Sequence, residues 1–508
     1  MPIKIAYLSI ERYVYRSMSF TPIFVAWRSR FNRRPRTSFS ARLDGLRRCT
    51  LDKLEERFGP LLAGLPELTA AGASARERPY SPRRTWWCFL WQMLQCNCSC
   101  EEVVRQLQAM LVLEGRPTVD GNSSGYCQGR ARLPEALLRE AMVASAKAAD
   151  ERVPPNEALQ GRVIKVLDGT TLTLPDTEEN QKEYPQPSSQ KPGCGFPQMQ
   201  LLVVWSARGG VVQDYVKANH HHGEMRLLNQ VSPLFKPQDI IVYDRAAGNY
   251  VACAQLRARE CDLISRVACR KIDWRRGIKI GPHERLVVWK KSRAQPPYLT
   301  AAEWAALPEE ITVRVIRVQV KQKGFRIRAL SLVTTLLDAR AYPAEEIIAA
   351  YLRRWRLEMC FDDLKTTLGL DTLRCKTPAM VHRELLMLCT LHNLVRAVMA
   401  EAAKEHAVPL EQVSFTGTLV TLRRFSAACA QTTSATKRRR LWEEMLRVIA
   451  TELIPLRPDR WEPRAVKRRP KPYPRLNRPR HQYRDLRHGT RYRRPAKPPH
   501  SPSTGAKT

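Results

Sequence analysis

Four polar side chains recur at helical spacing in the segment YLRRWRLEMCFDDLK, and their types suit a polyanionic ligand. They are Tyr351, Arg354, Glu358 and Lys365. At about 100° per residue, all four fall within about 60° of one another around a helix. Apolar residues flank this row on both sides, and burying a polar row between apolar stripes is costly unless the row lines a cleft. The spacing therefore predicts a polar groove along one helix.

The simplest alternative is a row of structural salt bridges, because Arg354 and Glu358 form an i, i+4 pair. However, Tyr351 and Lys365 would lie about 21 Å apart along the axis at about 1.5 Å per residue. One compact salt-bridge cluster cannot use both of them, whereas a polyanion lying in the groove could contact both ends. The carboxylate between the two cations would repel phosphates unless a divalent cation lay between them.

Two aspartates upstream could supply further ligands for such a cation. Asp168 closes the apolar run VIKVL, and Asp244 closes the run DIIVY. Ligand clefts form at the carboxyl ends of strands in α/β sheets, so both side chains could face one cleft. Taken alone, each aspartate is more typical of a strand end that only caps a turn. Together with Glu358 they predict a metal site built from three carboxylates.

The whole set of residues resembles one protein family, the insertion sequence 4 group of bacterial DDE transposases. The helical row matches its signature Y-x2-R-x3-E-x6-K, and the likeness extends from about Leu51 to Pro474. Asp168 in LDGTTLTLP resembles the first catalytic aspartate of that family, and Asp244 in IIVYDR resembles the second. The family commonly follows its second aspartate with Arg, Gly and an aromatic residue. Here Arg245 is followed instead by AAGNY, so the local turn is expected to differ.

The resemblance implies an RNase H-like catalytic core with a β-rich insertion between the second aspartate and the glutamate. It also implies two Mg²⁺ ions, with Mn²⁺ able to substitute, held by the catalytic residues Asp168, Asp244 and Glu358. Hard cations prefer carboxylate oxygens, and in-line phosphodiester transfer needs one metal for the attacking oxygen and one for the leaving oxygen. The signature spacing favours Glu358 over Asp362, which lies one turn further along. The residues expected to bind DNA phosphates are Tyr351, Arg354, Lys365 and Arg245.

The function implied by the resemblance is metal-dependent DNA transposition. Water would first free a 3′-hydroxyl at the end of the element, and that hydroxyl would then attack target DNA. The expected partners are double-stranded DNA, as terminal inverted repeats and target, and a second copy of the chain in a synaptic homodimer. Two alternatives stay open: an RNase H-like nuclease that cleaves without joining, and a DNA-binding relative or inhibitor without catalysis. The acidic trio argues against the second, because a pure binder needs no carboxylates.

The charge balance independently favours a polyanionic partner. The 508 residues include 85 Lys and Arg against 49 Asp and Glu, a formal net charge of +36, and the pI is about 10.1. Cations that neutralise phosphates release condensed counterions, which drives binding to nucleic acid. The 14 cysteines are scattered, and the sequence shows neither a signal peptide nor a run of about 18 apolar residues. These features predict a reduced bacterial cytoplasmic protein, associated with the nucleoid when bound, and no membrane partner.

The pattern along the chain predicts an α/β protein: a mixed-sheet catalytic core preceded by an all-helical domain and followed by helices. Apolar spacing is helical from Leu51 to about Ala149 and becomes strand-like from Gly161, in the order β–β–β–α–β–α–β. The expected divisions are a basic flexible arm (1–45), a helical domain for DNA-end binding (46–155), the RNase H-like core (156–269 and 336–405), the β-rich insertion (270–335), C-terminal helices (406–460) and a basic Pro/Arg-rich tail (461–508).

Several other cysteine, histidine and tryptophan residues could bind a metal or a base, and most of them have a plainer structural interpretation. The cysteines at 96, 98 and 100 lack the paired CxxC spacing of zinc sites. The histidine run at 220–222 has no carboxylate at useful spacing and is interpreted as a loop. Trp289 in the insertion could stack on an unpaired base. Tryptophans 86, 87 and 91 are interpreted as core of the helical domain.

Overall fold

The structure is a computed structural model that describes residues 50–455 except for 63, 66–78, 114, 192, 220–222, 268–271, 320–328, 431 and 433. The side chains of residues 50–53, 113, 224, 319, 329, 355–358 and 430 also lie outside the description. The basic arm expected at 1–45, the basic tail expected at 461–508 and the histidine run at 220–222 therefore fall outside the described residues.

Helices form the described part of the chain that precedes the sheet. They are α1 (Thr50–Phe58), α2 (Pro82–Leu94), α3 (Cys100–Leu113), α4 (Ser124–Arg132) and α5 (Glu135–Asp150). The side chain of Ser81 caps α2 by accepting the backbone N–H of Arg84 at 3.3 Å. Trp86 and Trp87 are buried, with their rings edge to face at 4.7 Å, and Trp91 is buried with them. The prediction that these tryptophans belong to the core is confirmed.

A nine-stranded mixed sheet is the centre of the molecule. Its first five strands are β1 (Ile164–Thr173), β2 (Gln198–Ser206), β3 (Val212–Asn219), β4 (Ile240–Tyr243) and β5 (Asp262–Val267). They lie in the order β3-β2-β1-β4-β5, with β1, β2 and β3 antiparallel and with β4 and β5 parallel to β1. This is the strand arrangement of an RNase H-like core, so the predicted fold class is confirmed.

Both faces of this core sheet are buried, which explains its nearly continuous apolar runs. Val166 belongs to the larger hydrophobic cluster, and its neighbour Leu167 belongs to a second cluster on the opposite face. The helices between these strands are α6 (Glu178–Glu183), α7 (Glu224–Val231) and α8 (Tyr250–Arg257). The sequence-based order therefore holds, with one short helix, α6, added between the first two strands.

The segment expected as a β-rich insertion extends the core sheet. Its strands are β6 (Ile278–Gly281), β7 (Glu284–Lys290), β8 (Glu310–Gln319) and β9 (Ala329–Thr334). The last of them pairs antiparallel with β5, and the sheet continues in the order β9-β8-β7-β6. A short helix, α9 (Ala301–Ala305), is stabilised by a capping box between Thr300 and Glu303. The segment is therefore strand-rich, but it contains one helix and shares the sheet of the core.

Four helices complete the described residues: α10 (Ala344–Asp362), α11 (Pro378–Glu405), α12 (Phe415–Ala430) and α13 (Ala435–Thr451). The first of these packs against β4 and β5, which places it over the middle of the sheet. Its α-helical hydrogen bonding ends at Asp362, and the chain continues as one π-helical turn over Asp363–Thr367. The single α-helix expected from Tyr351 to Lys365 is therefore interrupted before the lysine.

Among the residues that the structure describes, one helix is long and apolar enough to cross a membrane by length and composition alone. This is α11, and 89% of its most apolar window is buried inside the fold. It packs against α5 and carries side chains into the larger hydrophobic cluster. A central helix of a globular core has the same properties, so this helix is weak evidence for a membrane span.

Candidate active site

Asp168 and Asp244 come together because their strands are parallel neighbours in register. The paired positions on β1 and β4 run from Ile164 with Ile240 to Val166 with Val242. Two residues further along, the same register sets Asp168 beside Asp244, with both side chains on one face. Neighbouring strands lie about 4.8 Å apart, which is close enough for two carboxylates to share a cation. Both aspartates are half-buried.

A local turn fixes the position of Asp244. Its carboxylate caps the 3₁₀ turn Arg245–Ala247 and accepts the backbone N–H of Arg245 at 2.6 Å. Its backbone carbonyl accepts a hydrogen bond from the hydroxyl of Ser265 on β5 at 2.7 Å. A Cβ at Gly248 would lie 2.2 Å from the carbonyl oxygen of Arg266, so only glycine lets this turn approach β5 so closely.

The turn after Asp244 differs from that of the family in its aromatic residue. Ala247 is fully buried at the position where the family commonly has the aromatic residue. The next aromatic residue, Tyr250, opens α8 and donates its hydroxyl proton to the carbonyl oxygen of Pro308 in the insertion. Tyr250 therefore joins the turn to the extended sheet and is directed away from the aspartate pair.

Helix α10 brings Tyr351 and Arg354 to the aspartate edge. Both side chains are buried, at 3% and 7% exposure. Burial raises the pKa of Tyr351, the nearby Asp244 carboxylate raises it further, and the Arg354 and Arg266 guanidiniums oppose both. The hydroxyl of Tyr351 hydrogen-bonds to Arg354. The first two members of the helical row therefore lie beside the second aspartate, as the groove prediction requires.

The other two members of the row lie further along the same chain segment. Glu358 is on α10, about two turns after Tyr351, and its side chain falls outside the described residues. Lys365 lies in the π-helical turn, where it is half-buried and its Nζ lies 5.4 Å from the ring centroid of Phe361. A π-helical turn is wider than an α-helical turn, so it changes the direction in which Lys365 projects. The arc of about 60° calculated for the four residues on a continuous α-helix therefore does not apply to Lys365.

The chain is similar to known transposases over the sheet and over most of its length. The sequence profile of the Transposase DDE domain family matches residues 159–394, which contain every strand of the sheet and α10. Transposase InsG for insertion sequence element IS4 of Escherichia coli K12 is 25% identical over 444 residues, covering 85% of this chain and 96% of that protein. Residues 159–394 are therefore similar to a Transposase DDE domain, and most of the chain is similar to an insertion sequence 4 transposase.

Two further comparisons are more limited. The transposase for insertion sequence element IS421 of Escherichia coli is 27% identical over 170 residues, covering 28% of this chain and 46% of that protein. A cryo-EM structure of a piggyBac transposase synaptic complex with hairpin DNA aligns at a TM-score of 0.38 with 8% identity. That alignment covers 79% of this chain and 85% of the piggyBac chain.

The described part of the transposase site has a donor set that fits a hard divalent cation. Asp168 and Asp244 offer carboxylate oxygens at a partly exposed edge of the sheet, and such cations take oxygen ligands. The carboxylate of Asp168 also accepts the backbone N–H of Gly169 at 3.1 Å, which holds the side chain near the strand end. Asp362, the alternative helical ligand, is exposed at the last position of α10.

Sequence reasoning missed Arg266, which lies on β5 beside the candidate site. Its charge acts on Tyr351, and its Nε is buried without a hydrogen-bond partner among the described residues. The available signal was a single cation inside the apolar strand run CDLISRVA, where buried arginines are rare unless paired. Arg245, expected to contact phosphate, is exposed at the start of the 3₁₀ turn. Trp289 is half-buried on β7 and packs against the second hydrophobic cluster.

Proposed function

We propose that this transposase cuts DNA at the ends of its own insertion sequence and joins the freed 3′-hydroxyl to target DNA, using Mg²⁺. The observation that supports the proposal is the register of β1 and β4, because Asp168 and Asp244 each follow the last paired position, Val166 with Val242, by two residues. Helix α10, which packs against β4, carries Glu358. These three carboxylates would hold the ions. When bound, Mg²⁺ would supply Lewis-acid activation of the attacking and leaving oxygens.

The residues of the chain would then position DNA for that chemistry. Arg354 and Arg266 place positive charge next to Tyr351 and Asp244, where a phosphate facing the carboxylates would lie. Arg354 is buried and Arg266 is half-buried, so water screens them less than it screens surface cations, and their attraction for a phosphate that carries developing charge in the transition state is stronger. The hydroxyl of Tyr351 would donate a hydrogen bond to the same phosphate. Lys365 and Arg245, at the two ends of the groove, would contact neighbouring phosphates.

The partners follow from charge and from the family. The net charge of +36 suits double-stranded DNA, both as terminal inverted repeats and as target. Because one element has two ends that must be joined to one target, we assign the active form to a homodimer in a synaptic complex. We assign DNA-end binding to the helical block at 46–155, and we place the protein in the bacterial cytoplasm, on the nucleoid when bound.

The test is Mg²⁺-dependent nicking of the element's own end by the full chain. Glu358→Gln and Asp168→Asn should each lower nicking by about 1,000-fold or more while leaving DNA binding intact, because they remove a metal ligand without changing size. Glu345→Gln is the matched control, since this exposed carboxylate lies on the first turn of the same helix. Asp362→Asn tests the alternative helical ligand.

The outcomes separate the proposal from its alternatives. Equal nicking by the Glu358→Gln protein and the unmodified protein would remove Glu358 from the mechanism. If Asp362→Asn abolished nicking instead, Asp362 would be the helical metal ligand. Precut ends supplied with target DNA should be joined. Nicking without joining would make the protein a nuclease, and binding without nicking would make it an inactive relative or inhibitor.

A further inference from the structure

A second set of possible metal ligands lies behind the catalytic helix, away from the aspartate pair. It consists of Cys360 in the last turn of α10, Asp363 at the first position of the π-helical turn, and His392 in the middle of α11. One ligand atom from each residue, the thiol sulfur, a carboxylate oxygen and a ring nitrogen, lies within 4.8 Å of the other two. The cluster therefore joins two helices that are well separated in sequence.

His392 is the most unusual member of this cluster. Its side chain is fully buried, and neither ring nitrogen has a hydrogen-bond partner among the described residues. Buried polar groups in native proteins are nearly always paired, so an unpaired pair of nitrogens requires an explanation. Phe415 stacks on the ring with centroids 5.2 Å apart, and Trp205 meets it edge to face at 5.5 Å. These two contacts fix the plane of the imidazole and hold one nitrogen near the thiol and the carboxylate.

The two residues on the other side of the cluster share a helical face and an open space. Cys360 and Asp363 are three positions apart, and i, i+3 pairs on one helix commonly supply two ligands to one metal. Cys360 is 6% exposed and Asp363 is half-buried. Both line a cavity of about 690 Å³ that also reaches Phe415. Water in this cavity could complete a coordination sphere.

We propose that Cys360, Asp363 and His392 form a Zn²⁺ site that ties the end of α10 to α11. The mixture of one sulfur, one nitrogen and one oxygen ligand suits a borderline-soft ion and disfavours Mg²⁺. With zinc–ligand bonds of about 2.0–2.3 Å, tetrahedral ligand atoms lie about 3.3–3.8 Å apart. The present separations need a closure of about 1 Å, which side-chain rotation supplies. The fourth position is taken by water from the cavity.

The position of this site gives it a structural role beside the candidate active site. Cys360 follows Glu358 by two residues, and Asp363 begins the π-helical turn that carries Lys365. A metal held there fixes where the α-helix ends and in which direction the lysine projects. The nearby Arg396 donates a hydrogen bond from Nε to the carbonyl oxygen of Gly209 at 2.9 Å.

The test measures zinc and cobalt binding to the full chain after chelation and dialysis, with Mg²⁺ present. We expect about one Zn²⁺ per chain, and we expect Co²⁺ at the same site to show thiolate charge-transfer absorption and the intense visible bands of four-coordinate cobalt. Cys360→Ser and His392→Gln should each lower zinc affinity by about 100-fold or more, since even outer-shell changes cost 10–100-fold. Zinc should also raise the melting temperature of the unmodified chain.

Three controls make each result decisive. Cys194→Ser and His406→Gln change a cysteine and a histidine outside the cluster and should leave binding unchanged. The double variant Asp168→Asn, Asp244→Asn should keep the thiolate–cobalt absorption, because it alters only the catalytic carboxylates. Circular dichroism identifies variants that fail to fold, and for these Asp363→Asn provides a smaller change. Zinc binding that survives Cys360→Ser or His392→Gln in a folded chain, or no zinc bound by the unmodified chain, would overturn the proposal.

Discussion

At the scale of single residues, the helical spacing predicted one cation of the candidate site, Arg354, and gave no indication of another, Arg266. Arg354 was evident because its spacing from Tyr351 and Glu358 is helical. Arg266 lies in a strand with no periodic partner, and only the pairing of β5 with β4 brings it beside Asp244. Its Nε is buried without a hydrogen-bond partner among the described residues, and a phosphate facing the aspartates would have the charge and the acceptor oxygens to pair with it.

Replacing Arg266 should therefore affect chemistry more than binding. We expect Arg266→Ala to lower Mg²⁺-dependent nicking by about 100-fold, the usual loss when one preorganised donor to a transition state is removed. Arg266→Lys should recover only part of this activity, because an ammonium cannot reproduce the geometry of the guanidinium. The exposed Arg259→Ala is the control. Nicking rates and DNA affinity measured together decide the matter: an equal fall in both would make Arg266 a binding residue only.

At the scale of elements, the sequence predicted what depends on local pattern and missed what depends on distant pairing. Apolar runs identified β1 and β4, and the predicted order β–β–β–α–β–α–β corresponds to the strands β1 to β5. The pairing of β9 with β5, which makes the insertion continuous with the core sheet, leaves no local signal because its partners are far apart in sequence. The π-helical turn was missed for another reason: helical periodicity over fifteen residues cannot distinguish a wider turn near its end.

Another element-scale feature is a buried polar network where α11 meets the sheet. The ring nitrogen Nε2 of His382, near the start of α11, contacts the hydroxyl of Tyr184 at 2.7 Å and Nζ of Lys217 on β3 at 2.8 Å. Burial lowers the pKa of His382 to about 4, and the charges of Lys217, Arg383 and Arg139 add to this effect. The carboxylates of Glu183 and Glu135, at 3.7 and 4.0 Å, face the same ring.

This network should make the fold less stable in acid. Between pH 6.5 and about 4, the unfolded chain binds a proton at His382 that the folded chain does not, so the free energy of unfolding falls as the pH falls. The loss should approach about 1.4 kcal/mol per pH unit within that window and stop below it. Denaturant unfolding of His382→Gln should show a shallower pH slope. His406→Gln, at the position that follows the end of the same helix, leaves the network intact, and an equal slope change there would refute the assignment.

At the scale of the whole molecule, positive charge is distributed unevenly along the chain and is dense in the C-terminal segment. Residues 461–508 contain fifteen Lys or Arg and two acids, so they hold more than a third of the net charge of +36. The site itself depends on buried cations such as Arg354, whose contacts are set by the fold. Two kinds of DNA contact are therefore expected: specific positioning by the groove and unspecific attraction by the C-terminal segment.

Removing residues 461–508 should separate these two contributions. The affinity for unrelated duplex DNA should fall, and the slope of log affinity against log salt should become less steep, because each lost phosphate contact lowers the slope by about 0.9. Mg²⁺-dependent nicking at saturating DNA should change by less than about threefold, since neither the carboxylates nor Arg354 and Arg266 are removed. A matched chain in which the fifteen cations are replaced by Gln tests charge without changing length. If the slope of log affinity against log salt were unchanged in both proteins, the attraction for DNA would come from residues 1–460 alone.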